Sequence, residues 1–403
     1  MRPMRSVIAA AAVLANGAAV AQYSNGVIKI GILTDMASVY SDITGPGSVA
    51  AARLAIEDFG AVAKGMKVEI ISADMQNKPD VGAGIANTWF DVDKVDVIVD
   101  VPNSGVALAV SEIVRQKNKV FLISGAASSD LTGSKCSPNS IQWTYDTWEE
   151  SNSTAKALVQ AGGDSWFFIT ADYAFGYSLE RDAAAVAEAS GGKVLGRVRH
   201  PLNANDFSSY LLQAQASKAK VIGLANAGGD TINAIKQAAE FGIARRGQQV
   251  AALQLFASDI AALGLQTAQG TVLTETWYWD TNEKTRSWTK RWQTERPGKL
   301  PTSVHAGVYS AVLHYLKAVE ALRSDADGKA VVAKMKEMPT DDPLFGRGSV
   351  RVDGRKIHPA YLFEVKRPEE SRHAGDFYNL RSTIPAESAF RPLKDGGCPL
   401  VNG

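Results

Sequence analysis

Five histidines, His200, His305, His314, His358 and His373, are the side chains best suited to bind a metal or to shuttle a proton near neutral pH. None sits in H-E-x-x-H or another metal spacing. His305 and His314 lie nine apart on one helical stretch, which suits two packed or solvated imidazoles. The chain has no G-x-S-x-G nucleophile elbow and no G-x-x-x-x-G-K-[ST] phosphate loop. Gly45-Pro46-Gly47-Ser48-Val49-Ala50 does satisfy G-x-G-x-x-A, but eleven residues separate Leu33, the end of the preceding strand pattern, from Gly45. A dinucleotide turn follows its strand at once, so a glycine-rich helix start is the better reading. No catalytic residue, metal ligand or cofactor is expected.

What remains is chemistry suited to holding a small molecule. Pro102-Asn103-Ser104-Gly105 and Ser124-Gly125-Ala126-Ala127-Ser128-Ser129-Asp130 each follow a short apolar run. Both are small, hydroxyl-bearing and glycine-containing, and a helix N-terminus behind such a loop receives carboxylates and other anions. Ordinary capping and turn chemistry would use the same residues. A second pair of loops, Ala171-Asp172-Tyr173-Ala174-Phe175-Gly176 and Asn226-Ala227-Gly228-Gly229-Asp230, brings aromatic rings. Tyr145 and Trp148, and later Trp277-Tyr278-Trp279, stand where the chain passes between two halves. Opposite an anion site such rings would wall the body of a ligand.

The elements that must position these loops are legible. Strand patterns at 28–33, 67–73, 96–101 and 120–123 alternate with helical patterns at 48–59, 81–92 and 106–117. The series restarts with a helix at 153–161 and continues with strands at 166–170, 193–198, 220–224 and 251–256 and helices at 177–189, 208–217 and 231–241. Alternating β and α predicts α/β architecture, two doubly wound parallel-sheet lobes. A strand at 271–279 and helices at 283–295, 302–322 and 329–338 read as completing the lobes. Asn152-Ser153-Thr154, formally a glycosylation acceptor, reads as an N-cap cluster at the start of the 153–161 helix.

Charge excludes one class of partner. The 43 Lys and Arg against 42 Asp and Glu, with no long basic run, argue against nucleic acid. Arg2 and Arg5, an apolar stretch at 7–15 and Ala19-Val20-Ala21 read as a secretory signal peptide over residues 1–21. Its removal leaves 43 − 2 = 41 positive against 42 negative charges, a formal −1. An exported chain without a lipid anchor is expected. In an oxidising compartment the simplest reading of Cys136 and Cys398 is one disulfide tying the C-terminal segment to a loop, with two free thiols as the alternative.

From Ile28 to about Val365 the chain resembles periplasmic solute-binding proteins of ABC importers, in the leucine/isoleucine/valine-binding (type I) family. The resemblance rests on the order of IKIGILTDMASVYSDITG, VIVDVPNSGVALAVSEIV, VFLISGAASSDLT, FFITADYAFG and AIKQAAEFGI. It implies lobes of 22–145 plus 277–352 and 146–276 plus 353–403, joined by three crossover segments and closing as a hinge. It also implies a periplasmic, monomeric protein that meets permease subunits of an importer. Carried over by position, Asn103, Ser104, Ala126, Ala127 and Ser128 would hold a ligand carboxylate and polar head. Tyr40, Tyr173 and Phe175 would cover its body, with Trp148 and Asn226 at the cleft margin and Asp259 as the acid that meets an ammonium group. Ala227 and Trp148 depart from the family pattern, which enlarges or dries the pocket. CSPNSIQWTYDTW and TADYAFG resemble the subgroup that binds aromatic carboxylates, so an apolar carboxylate is the expected ligand. Branched-chain amino-acid binding, or a sensing role beside a membrane receptor, is the alternative.

Overall fold

The computed structural model describes residues 23–401, and the proposed signal peptide lies outside them. The first unit runs β1 (Ile28–Thr34), α1 (Gly45–Phe59), β2 (Val68–Asp74), α2 (Pro79–Asp91), β3 (Val97–Asp100), α3 (Ser104–Gln116), β4 (Val120–Ile123) and β5 (Ser140–Gln142). Its strands form one parallel sheet in the order β2-β1-β3-β4-β5. The Ile- and Val-rich β1, β3 and β4 are buried almost throughout, as a sheet covered on both faces requires. One face packs with α1, the other with α2 and α3. Gly45 starts α1 with φ 55°, so the glycine-rich stretch is indeed a helix start.

The second unit repeats the plan with α4 (Thr147–Gln160), β6 (Ser165–Ala171), α5 (Ala174–Ala189), β7 (Lys193–His200), α6 (Ser208–Ala216), β8 (Val221–Ala225), α7 (Gly229–Glu240) and β9 (Gln249–Ala252). Its parallel order is β7-β6-β8-β9. In each sheet the strand order reverses beside the first strand, and ligands of open α/β sheets bind outside the carboxyl ends of strands at such a switch point.

The last third holds α8 (Ala257–Leu263), α9 (Leu265–Ala268), β10 (Val272–Glu275), α10 (Glu283–Trp292), α11 (Ser303–Leu322) and α12 (Gly328–Glu337). Ala50, Ala51, Ala52 and Ala55 of α1 share a core with Val308, Ala311, Val312 and Tyr315 of α11, small side chains that let the helices approach closely. His305 and His314 on α11 are both buried. His305 Nδ1 accepts from the Thr302 N–H at 3.0 Å, which leaves Nε2 to donate to the Thr44 carbonyl at 2.8 Å. Burial pushes this imidazole down to about 4.

Two features differ from expectation. Beyond α12 lie β11 (Thr340–Asp342), β12 (Gly346–Val350), β13 (Lys356–Ile357), β14 (Ala360–Val365) and β15 (Tyr378–Ile384). They build two small antiparallel sheets, β10-β14-β15 and β11-β12-β13. β11, β12, β13 and β15 are short or largely exposed and carry little apolar periodicity, whereas the apolar β14 is an isolated run with no helix pattern beside it. The second correction concerns α4, which starts at Thr147, capped by Asp146, whose carboxylate accepts from the Trp148 and Glu149 N–H groups at 3.1 and 2.9 Å. Asn152, Ser153 and Thr154 therefore lie inside the helix and cap nothing. The acidic first turn Thr-Trp-Glu-Glu-Ser hid the true start.

Cys136 and Cys398 form a disulfide, with Cα atoms 5.6 Å apart. Arg391 Nη2 also donates to the Ser129 carbonyl at 2.8 Å, so the final segment returns to the loop between β4 and β5.

Candidate functional site

The loop after β1 is built around Asp35. Its carboxylate accepts from the N–H groups of Ala37, Ser38 and Tyr40, from Ser38 Oγ and from Asn77 Nδ2, at 2.7–3.2 Å. Five donors on one buried carboxylate fix the loop and aim Tyr40 toward the second unit.

After β3, Asn103 caps α3 by accepting from the Val106 N–H at 3.1 Å. Ser104 Oγ accepts from the Ser128 N–H at 3.2 Å and ties the two small-residue loops together. The loop after β4 is held by its carbonyls. Tyr145 Oη donates to Gly125 at 2.8 Å, Gln142 Nε2 to Ala126 and Ser128 at 3.0 and 3.2 Å, and the Thr147 N–H to Ala127 at 2.8 Å. Among the described residues no hydrogen bond uses the N–H of Ala126 or Ala127. Carbonyls pinned and N–H groups left over, beside a helix N-terminus, are what an incoming anion needs.

The facing wall comes from the second unit. Tyr173 and Phe175 follow β6, Ala227 follows β8, and Gln254 and Phe256 follow β9. A Cβ on Gly176 would lie 2.0 Å from the Ala171 carbonyl, so only glycine lets the chain turn tightly enough to present these rings. Together with Tyr40, Ile43, Pro102, Gly125, Ala127 and Tyr145 they line a narrow cleft between the two units. Ring centroids of Tyr145 and Phe256 lie 5.7 Å apart, and those of Tyr173 and Phe175 5.9 Å apart. The Gly229 N–H donates to the Val39 carbonyl at 3.2 Å, so the two units touch across the opening. The lining holds no Lys, Arg or His.

Of the residues singled out in the sequence, Tyr40, Ala127, Tyr173 and Phe175 line this cleft. Ser104 and Ser128 sit one layer behind, bonded to each other. Ala126 packs into the core beside β4, and Asn103 is spent as a helix cap. Trp148, Asn226 and Asp259 lie off the lining. Trp148 belongs to the first turn of α4. Asn226 is bonded to His200 Nε2 at 3.0 Å and to Thr231 Oγ1 at 2.7 Å. Asp259 accepts from the Phe256 N–H at 2.9 Å, and burial pushes its carboxyl up to about 7. It therefore orients Phe256 from behind. Gln254 and Phe256 went unpredicted because the strand expected at 251–256 ends at Ala252, which leaves both on the loop after it.

Comparison with known proteins bears on the family and the fold. The family model for periplasmic binding proteins matches residues 27–373. A periplasmic binding protein from Burkholderia mallei is 46% identical, covers 94% of this chain and all of its own, and superposes with a TM-score of 0.91. A branched chain amino acid ABC transporter periplasmic ligand-binding protein from Burkholderia xenovorans is 40% identical, with 93% and 99% coverage and a TM-score of 0.81. Among curated proteins, Leu/Ile/Val-binding protein homolog 6 of Brucella melitensis is 25% identical over 93% of this chain and 96% of its own length.

Proposed function

The chain belongs to the periplasmic binding protein family, and on that premise we propose that it captures a small carboxylate with an aromatic or branched apolar body for an ABC importer. The observation that supports this reading is the unused N–H of Ala127, which shares a cleft lining with the rings of Tyr145, Phe175 and Phe256, with the equally unused N–H of Ala126 next to it in the chain. Two N–H dipoles beside the α3 terminus orient a carboxylate, and the rings take the apolar body, at about 25 cal/mol per Å² of buried apolar surface. We assign 22–145 plus 277–352 to one lobe and 146–276 plus 353–403 to the other, the tail from Arg391 to Cys398 being fastened to the first. Capture is hinge closure, with Tyr40 and Tyr173 meeting over the ligand. The protein works in the periplasm as a monomer and delivers to permease subunits of the importer.

Branched-chain amino acids form the second reading, favoured by the description of the Burkholderia xenovorans protein. Against it, Asp259, the acid expected to meet an ammonium group, is turned to the Phe256 N–H. A thermal-shift panel of benzoate, hydroxybenzoates, branched keto acids, leucine, isoleucine and valine decides, since a ligand at 100 times its Kd adds about 2.7 kcal/mol of stability. We expect the acids without an amino group to raise Tm. Stabilisation by leucine or valine alone would sink the proposed ligand class.

A further inference from the structure

Asp100 closes β3 as a fully buried carboxylate that the reading above leaves unused. Among the described residues no hydrogen bond reaches either of its oxygens. Asp100 and Val101 hold φ of 83° and 55°, two successive non-glycine residues in the left-handed region. The strained turn places the carboxyl directly beneath the cleft. A Cβ on Gly125 would lie 2.8 Å from Asp100 Oδ1, and Gly125 lines the cleft immediately before the free N–H groups of Ala126 and Ala127.

Its surroundings supply no counter-charge. The hydroxyls of Thr34 on β1 and Ser48 on α1 face it without closing a hydrogen bond, and Asp35, from the loop after β1, adds a like charge. The phenol of Tyr145, from the crossover after β5, feels the same carboxyl. Burial outweighs the Ser48 and Thr34 hydroxyls, which favour the carboxylate, and with a smaller push from Asp35 raises the acid to about 7.

We propose that Asp100 is a proton-linked positioning residue: the cleft accepts a carboxylate only when Asp100 is neutral, so capture takes up a proton wherever Asp100 is otherwise ionised. The inference rests on the carboxylate reading above. An ionised Asp100 beneath Gly125 and an anion on the neighbouring N–H groups form a like-charge pair in a buried place, and such pairs hold a proton between them. The proton comes from solvent onto the Asp100 carboxylate when the ligand enters and returns to solvent when it leaves. A carboxylate ligand itself, with a pKa of about 4, stays ionised throughout this range.

The test is calorimetric titration with benzoate, or the best acid of the panel, between about pH 6 and about pH 9, repeated in buffers of different ionisation heat. We expect Kd to rise about tenfold per pH unit above about pH 7 and to flatten below, with proton uptake approaching one per ligand. Asp100→Asn should bind the acid with a flat profile, and benzamide, which carries no charge, should bind the wild type with a flat profile. A flat wild-type profile with no proton uptake overturns the proposal, as does an unchanged slope in Asp100→Asn. The buffer series on the wild type decides by itself if that variant does not fold. If no acid binds at any pH, the ligand class has failed and this inference falls with it; acids that bind without proton uptake defeat the inference alone.

Discussion

The phenolic oxygens of Tyr40 and Tyr173 meet at 2.5 Å across the cleft, one on the loop after β1 and the other at the N-cap of α5. Both rings are aimed by their own units, Tyr40 by Asp35 and Tyr173 by the tight turn at Gly176. Burial and each other's hydroxyl hold the Tyr40 phenol well above its usual range. The bond joins the two units, so under the proposed hinge closure it would act as a latch whose strength bears on ligand retention.

Tyr40→Phe should weaken binding about fivefold, the equivalent of one net hydrogen bond of about 1 kcal/mol. Tyr173→Phe should cost the same, and the double variant no more than either single one, because the two hydroxyls serve one bond. Titration calorimetry on the three variants checks this; additive losses would mean each hydroxyl meets the ligand separately.

Gly228 stands at the second point of closure. It has φ of 58°, and a Cβ there would lie 2.3 Å from the Val39 carbonyl. Gly228→Ala should therefore hold the lobes apart and cut affinity tenfold or more, roughly 1.4 kcal/mol and upward. Small-angle scattering with saturating ligand should show no contraction in the variant, whereas the wild type contracts.

The disulfide bears on stability without touching the cleft. Replacing Cys136 and Cys398 by serine, or reducing them, should cost about 2–4 kcal/mol of unfolding free energy. Urea melts with and without reductant measure it, and affinity for the best ligand should not change.

Glu275 titrates in the opposite sense from a surface acid. It is fully buried, its Oε2 has no partner among the described residues, and burial pushes it up to about 8. The folded protein thus holds a proton there that the unfolded chain releases near 4.5. Its stabilising share is complete below that value and is lost as pH rises toward 8. Glu275→Gln should gain on the wild type by up to about 1.4 kcal/mol per pH unit across that window. Urea midpoints at both ends of the window test the sign. His305 works the other way, since its neutral form is the folded one and stability falls as pH drops from 6.5 toward about 4.

Residue types and spacing carried the α/β plan because a parallel sheet demands continuous apolar strands, and 28–33, 96–101 and 120–123 supply them. The strand-end rule pointed to the loops of Ala127, Tyr173 and Phe175, and the family resemblance to Tyr40, all four of which line the cleft. Tyr145 was read at the crossover as a wall for the ligand, but Gln254 and Phe256 escaped, and the pattern could not tell that Asn226 would be spent on His200 and Thr231. Asp259 was assigned to the ligand although its partner, the Phe256 N–H, lies three residues away. The antiparallel strands after α12 escaped because most are short or exposed and leave no periodic trace. Asp100 read as one polar residue in VIVDV, and only the packing beneath Gly125 gives it a possible task.

The absence of side-chain cations from the cleft lining has a consequence for the setting in which such a protein works. Mobile ions weaken attraction between separated charges within about 10 Å at 0.1 M ionic strength, but they do little to short dipole contacts and buried rings. A ligand held as proposed, by N–H groups and aromatic walls, should therefore be gripped with nearly the same strength in dilute and in saline surroundings. On that reading, capture would be insulated from the salinity of the medium outside the cell.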